Sequence, residues 1–291
     1  GAAIGFNSST LFGRLNGYGP EADAYYGNLG NEYQNMISDI SWKYGTITVG
    51  TTTYNGNTFF AKEGALTTSV DAKVGLMYLS DYYYTYPKGV APDVNSALTA
   101  WAHVKWNSAT NANEWLIPYN STSNGTYYAR SINTTGASGT ISMTSSIYVR
   151  PVIYLKNTVK YVSGNGSISN PFIIKSGESY TNVYDSCKNS SLGMCLINNK
   201  DTIHTYTGLS NTATGDITGE NIYRYQGAQK SNLYSPVTNY ICFDNNSCAN
   251  GDENMYRILG VTESGLVKVI KQIPWQKMGW HTAATATTWV D

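Results

Sequence analysis

Three histidines, His103, His204 and His281, are the first residues to weigh for chemistry, and none stands in an HxH or HExxH spacing. No Gly-x-Ser-x-Gly elbow exposes a serine nucleophile for them to activate. Paired carboxylates can hydrolyse glycosides, and Glu21/Asp23 and Asp252/Glu253 are near neighbours. Both pairs fall in loop-like stretches and read as solvated acids. Asp244-Asn245-Asn246 resembles a fragment of a calcium loop without the EF-hand spacing. Gly164-Asn165-Gly166 reads as a hairpin tip rather than a phosphate cradle, because no helix carrying a lysine follows it. The residues therefore assign no catalytic group, metal ligand or cofactor, and the chain is expected not to be an enzyme.

Two other groups of side chains carry more. The four cysteines form two tight pairs, Cys187/Cys195 and Cys242/Cys248, with seven and five residues between partners. Two disulfides closing short loops fit these spacings and imply an oxidising compartment. A four-thiolate zinc site asks for closer spacing, of about two to four residues. Aromatic residues cluster in one region: Tyr82, Tyr83, Tyr84 and Tyr86, then Trp101, Trp106 and Trp115. Exposed rings stack on sugars and anchor protein interfaces, so these seven are the candidate ligand or interface residues. Filling of the core is the competing reading for the tryptophans. On a strand, Tyr82–Tyr84 alternate between faces, which requires at least one ring to be exposed or at an interface.

The composition sets the surroundings of these groups. Of 291 residues only 13% are charged, and Lys+Arg and Asp+Glu balance at 19 each. Nucleic-acid binding needs a cationic footprint that the balanced charge does not supply, and the same balance argues against electrostatic docking to a membrane. Solubility rests on uncharged polar groups, 29 Asn and 28 Gly among them. With 41% hydrophobic residues, 25 Tyr and 7 Trp, the chain is far too apolar to be disordered. Abundant Tyr, Thr, Ser, Asn and Gly with few charges is the composition of β-rich extracellular proteins. Asn-x-Ser/Thr occurs seven times, at Asn7, Asn120, Asn124, Asn133, Asn165, Asn189 and Asn245, and chance accounts for most of these. No apolar stretch reaches the length of a membrane span, so no membrane insertion is expected. The start, Gly1 to Phe6, lacks the basic opening of a signal peptide, and the chain reads as a processed product or an excised segment.

Few helices are available to position these residues. Tyr33, Met36, Ile37 and Ile40 recur at helical spacing and predict a helix over 31–43, stopped by Gly45. Leu11, Phe12 and Leu15 mark a shorter one over 10–15, capped by Ser8 or Ser9. Residues 93–101 allow one or two turns. The rest reads as strands and turns. Residues 75–80 are expected as a buried strand, and 148–155 as another, with Pro151 at an edge or bulge. Residues 159–162 and 171–174 flank the Asn165-Gly166 hairpin signal. A meander follows over 240–243, 256–261 and 266–270, turning at Glu263-Ser264-Gly265. The composition shifts at 175–179, which divides the chain into 1–174 and a disulfide-stapled 175–291.

Several short motifs resemble repeat modules of Firmicutes cell-surface proteins. Asn239-Tyr240-Ile241-Cys242-Phe243, Met255 to Val261 and Val267 to Ile270 are similar to the opening half of such a module. Trp42 to Gly45, Gly75 to Tyr82, Trp115-Leu116-Ile117-Pro118 and Val149 to Leu155 are similar to its closing half. The order is rotated, with the closing half in 1–174 and the opening half in 175–291. The stretch from Trp275 to Asp291 would run naturally into Gly1 to Leu15. The closing half also looks C-type-lectin-like and formylglycine-generating-enzyme-like. The enzyme's active site uses a cysteine pair there, whereas no Cys precedes Cys187. The resemblance implies an α+β, mainly β fold of irregular mixed sheets with a few short helices. It further implies a secreted bacterial surface module, adhesive or structural, that is one period of a head-to-tail fibre or tandem-repeat protein. Its partners would be copies of itself, joined within one long polypeptide or by completion between subunits. The bland reading is a permuted domain that closes on itself. The functional alternative is a monomeric lectin-like domain that binds host or bacterial surface glycans, or a receptor.

Overall fold

The computed structural model describes residues 5–18, 24–48, 55–86, 100–103, 105–107, 110–111, 113–123, 126–176, 187, 190–200, 213–227, 237–243, 248 and 254–281. After a single turn at Phe6–Ser8 come α1 (Thr10–Asn16), α2 (Asn31–Met36), β1 (Ile40–Tyr44), α3 (Gly56–Gly64), β2 (Thr68–Ala72), β3 (Val74–Gly75) and α4 (Leu79–Tyr84). Strands β4 (Lys105–Asn107), β5 (Thr110–Asn111), β6 (Glu114–Ser123), β7 (Thr126–Ile132), β8 (Ser138–Ser142), β9 (Ile147–Val149), β10 (Val152–Leu155), β11 (Val159–Ser163) and β12 (Phe172–Ser176) follow. The remainder holds α5 (Leu192–Asn198), β13 (Thr214–Gly215), β14 (Asn221–Arg224), β15 (Tyr240–Cys242), β16 (Met255–Thr262), β17 (Val267–Lys271) and β18 (Gln276–Met278). The fold is mainly β, with mixed sheets and a few short helices.

A nine-stranded sheet forms the centre. Its path runs β11-β12-β15-β16-β17-β10-β3, and β14, paired with β13, lies end to end with β15 along one edge of β16. Every pair is antiparallel except β12–β15. A five-stranded sheet has the order β18-β9-β6-β7-β8. Both sheets cross the expected division at 174/175. Strand β10 pairs with β17, β12 with β15, and β9 with β18. Among the described residues, the larger of two buried apolar clusters runs from Phe6 to Trp280 and draws on both halves.

Local chemistry explains where the elements form and where the sequence-based expectations fail. Ser9 caps α1 by accepting from the Phe12 N–H at 3.0 Å, and Leu11, Phe12 and Leu15 face inward. The helix expected over 31–43 stops at Met36, because Ile40, Trp42 and Tyr44 alternate inward as a strand against β2. The strand expected over 75–80 ends at Gly75, and α4 takes over. At its N-terminus the Asp81 carboxylate accepts from the Tyr78 N–H at 3.2 Å, and Leu79, Tyr82, Tyr83 and Tyr86 recur at helical spacing. Gly75 has no room for a side chain, since a Cβ there would lie 2.5 Å from the Trp42 ring. Pro151 falls between β9 and β10, where the chain leaves one sheet for the other and no ladder N–H is missed.

The β11–β12 hairpin, the β15–β16–β17 meander and its turn before Leu266 form where the sequence places them. Disulfides join Cys187 to Cys195 and Cys242 to Cys248, as is usual outside the reducing cytosol. No helix among the described residues is long and apolar enough to cross a membrane. Residues 93–99 of the third helix candidate and the 177–179 segment lie outside the described residues.

Candidate functional site

Four of the seven aromatic candidates, Tyr82, Tyr83, Tyr86 and Trp115, are buried. Trp115 is fully buried, and its Nε1–H donates to the Met278 carbonyl at 2.8 Å. Tyr82, Tyr83 and Tyr86 lie inside, packed on one another. The run is helical rather than a strand, so its period differs from the expected alternation, and of Tyr82–Tyr84 it is Tyr84 that keeps partial exposure. Tyr84 and Trp101 are half-buried, and each lies against an arginine rather than open to solvent. Arg224 sits 4.3 Å over Tyr84, and Arg257 sits 4.2 Å over Trp101. The side chain of Trp106 lies outside the described residues, as do His204, Glu21/Asp23, Asp244–Asn246 and Asp252/Glu253. His103 Nε2 bonds with the Asn133 carbonyl, and His281 Nδ1 accepts from the Thr10 N–H at 3.2 Å. Among the described residues, no group of three His, Cys, Asp or Glu is arranged to hold a metal ion.

The concentrated chemistry lies elsewhere, in a cluster of buried charges built from both halves of the chain. Lys268 occupies the second position of β17, all of whose residues are buried. Pairing with β10 sets it opposite Tyr154. Its Nζ lies 5.2 Å and 5.3 Å from the ring centres of Tyr154 and Tyr78. It reaches Asp81 Oδ2 of α4 at 2.6 Å and Asp216 Oδ1, in the turn between β13 and β14, at 3.3 Å. Arg224 of β14 lies 3.4 Å from Asp81 Oδ1 and 3.5 Å from Asp216 Oδ1. Its other nitrogen donates to the Gly215 carbonyl at 3.1 Å. None of the four charged side chains is more than 4% exposed. Two cations face two anions, so the cluster is neutral as a set, as so buried a group must be.

A fifth group, Glu63 at the end of α3, is fully buried and accepts from the Ser80 N–H at 3.3 Å. Burial pushes its carboxyl up to about 8, and the Asp81 carboxylate adds to the rise against hydrogen bonds from Ser80 and the charge of Lys268. Glu63 is therefore mostly neutral at neutral pH, whereas Asp216 is ionised. Burial works to raise Asp216, but Lys268 and Arg224, with hydrogen bonds from Tyr154 and Thr218, hold it below the ordinary carboxylate value. Burial, then the neighbouring carboxylates, keeps the Tyr78 and Tyr154 phenols protonated. Tyr154 donates to Asp216 Oδ2 at 2.7 Å.

Two further arginines brace the same core. Arg150 forks onto Glu114 at 2.9 Å and 2.8 Å, with both side chains buried. Arg257 lies between Trp101 and Tyr240 and donates twice to Asn239 Oδ1, at 3.0 Å and 2.8 Å.

Sequence reasoning missed all five members of the main cluster. One signal was available: Lys268 interrupts the apolar run Val267–Ile270 at an inward position. Nothing local connects it with Asp81, far away in the chain. What the geometry does is join α3, α4, β10, the β13–β14 turn and β17. No family model matches the chain, and neither a curated protein nor a solved structure does.

Proposed function

We propose that the chain is an extracellular structural module of a bacterial surface protein that associates head to tail with copies of itself. The supporting observation is the seam between the two halves. The carbonyl of Trp280 accepts from the Leu11 N–H at 3.1 Å, the Trp280 ring packs on Phe6, and β18 completes the sheet of β9. Here one chain supplies both sides of these contacts. If a neighbour supplied 276–281, the same contacts would join chain to chain without any new interface, and exchange of this kind propagates when it does not close. The enclosed charges and the two disulfides suit a module whose work is to hold its shape. The C-type-lectin-like fold belongs to this proposal and rests on the sequence motifs.

Sedimentation of the purified chain, followed by its mass after denaturation and reduction, tests the reading. The expected result is oligomers that denature to the single 291-residue chain. A folded, monodisperse monomer across all concentrations would overturn it. The alternative, a monomeric glycan or receptor binder, draws less support, because Tyr82, Tyr83, Tyr86 and Trp115 fill the core.

A further inference from the structure

We infer that Lys268 and Asp81 join covalently within the folded chain, forming an amide between Lys268 Nζ and Asp81 Cγ with release of one water molecule. The inference deepens the reading of the chain as a structural module and rests on that reading only for its purpose, not for its chemistry.

The geometry supplies what such a condensation needs. Nζ lies 2.6 Å from Asp81 Oδ2, and both side chains are 1% exposed. Lys268 is carried by a strand held on both sides, by β16 and β10. Asp81 is fixed at the start of α4 by the Tyr78 N–H, 3.2 Å from Oδ2. Two reactants held this way meet at an effective concentration far above any attainable in solution. In water the ammonium and carboxylate are each well solvated, and condensation is uphill. Here the rings of Tyr78 and Tyr154 stand where solvent would be. A neutral amide is better suited to that setting than a desolvated ion pair.

The protons balance within the cluster. The Lys268 ammonium passes one proton to the Asp81 carboxylate, which leaves a neutral amine and a neutral acid. The amine lone pair attacks Cγ, and negative charge develops on Oδ1, which faces Arg224 at 3.4 Å. A second proton leaves the nitrogen and reaches the departing oxygen, whereupon the C–O bond breaks. Both hydrogens of the released water come from the ammonium, and its oxygen comes from Asp81. Glu63 is assigned the relay of the second proton, since it is fully buried, accepts from the N–H of Ser80, the residue next to Asp81, at 3.3 Å, and carries a proton at neutral pH. It ends the reaction as it began.

Charge also balances before and after. Two cations oppose two anions at the outset. The amide removes one of each and leaves Arg224 with Asp216, which are 3.5 Å apart. Asp216 is the less suitable partner for Lys268. It is farther from Nζ, at 3.3 Å, and its ionised carboxylate is a poor electrophile tied by Tyr154, Thr218 and Arg224.

The intact mass of the purified chain, denatured and with both disulfides reduced, tests the bond directly. The expected mass is that of the sequence less one water. Protease digestion should give a branched peptide joining the segments that contain Asp81 and Lys268. Lys268→Ala and Asp81→Ala should each restore the full mass. Glu63→Gln should keep the native near-ultraviolet circular dichroism yet show the full mass, an outcome that a purely structural role for Glu63 does not produce. Wild-type chain of full sequence mass overturns the bond, whether or not the variants fold, and a branch at Asp216 overturns the choice of partner. Sedimentation reads the self-association separately, so either idea can fail alone.

Discussion

Lys268 has exchanged its hydration shell for two carboxylates and two aromatic faces, so its removal leaves buried charge rather than an empty socket. Lys268→Met should lower stability by at least about 3–5 kcal/mol, read by chemical denaturation, because Asp81 and Asp216 are then left to Arg224 alone and the link to Asp81 is lost as well. Glu63 gives a second prediction, in pH. Its carboxyl is raised from 4.5 to about 8, so between these values the folded chain holds a proton that the unfolded chain has released. Its contribution is complete below the lower value and is lost as pH rises through the upper one. The maximum slope is about 1.4 kcal/mol per pH unit. Stability of wild type should fall with pH across this window more steeply than that of Glu63→Gln. A Glu63→Gln curve parallel to wild type would count against a buried neutral acid at this position.

At the scale of elements, the β11–β12 hairpin depends on Gly164, which adopts φ +92° and would place a Cβ 1.9 Å from the Pro171 carbonyl oxygen. Gly164→Ala should cost about 1–3 kcal/mol in thermal or chemical unfolding, from left-handed strain and this clash. The hairpin was legible in the sequence, as were the meander and α1, because each is specified by neighbours along the chain: a turn signal, an alternation, a capping serine. Misreadings arose where two periods overlapped. Leu79, Tyr82, Tyr83 and Tyr86 satisfy helical spacing, but the apolar run from Leu76 continues into them and reads as a strand. Similarly, Tyr33 to Ile40 carries a helical pattern into Ile40 to Tyr44, where alternation takes over. The change of sheet at Pro151 is written locally only as an interruption; which sheet each side joins depends on distant partners.

The whole molecule is closed by pairings across the chain, and these were the least legible. Strand β10 meets β17 and β9 meets β18, contacts specified by shape and burial rather than by any local motif. Nothing local in the sequence connects the charges that meet at the junction of the two halves. Fragments 1–174 and 175–291 should therefore each lack native near-ultraviolet circular dichroism, and should recover it and co-elute when refolded together. Recovery by either fragment alone would contradict the shared sheets. The nearness of Phe6 to Trp280, with ring centres 5.8 Å apart, has a further consequence under tension. A pull applied at these two residues is borne by the Trp280–Leu11 contact and the short β18–β9 ladder, while the large sheet stays unloaded until they part. Without the Lys268–Asp81 bond, full extension then releases roughly 90 nm of chain; with it, the loop from 81 to 268 stays shut and the release is roughly 30 nm. Single-molecule stretching would distinguish the two lengths, and a chain that yields only the shorter one behaves as a tether with a covalently limited reach.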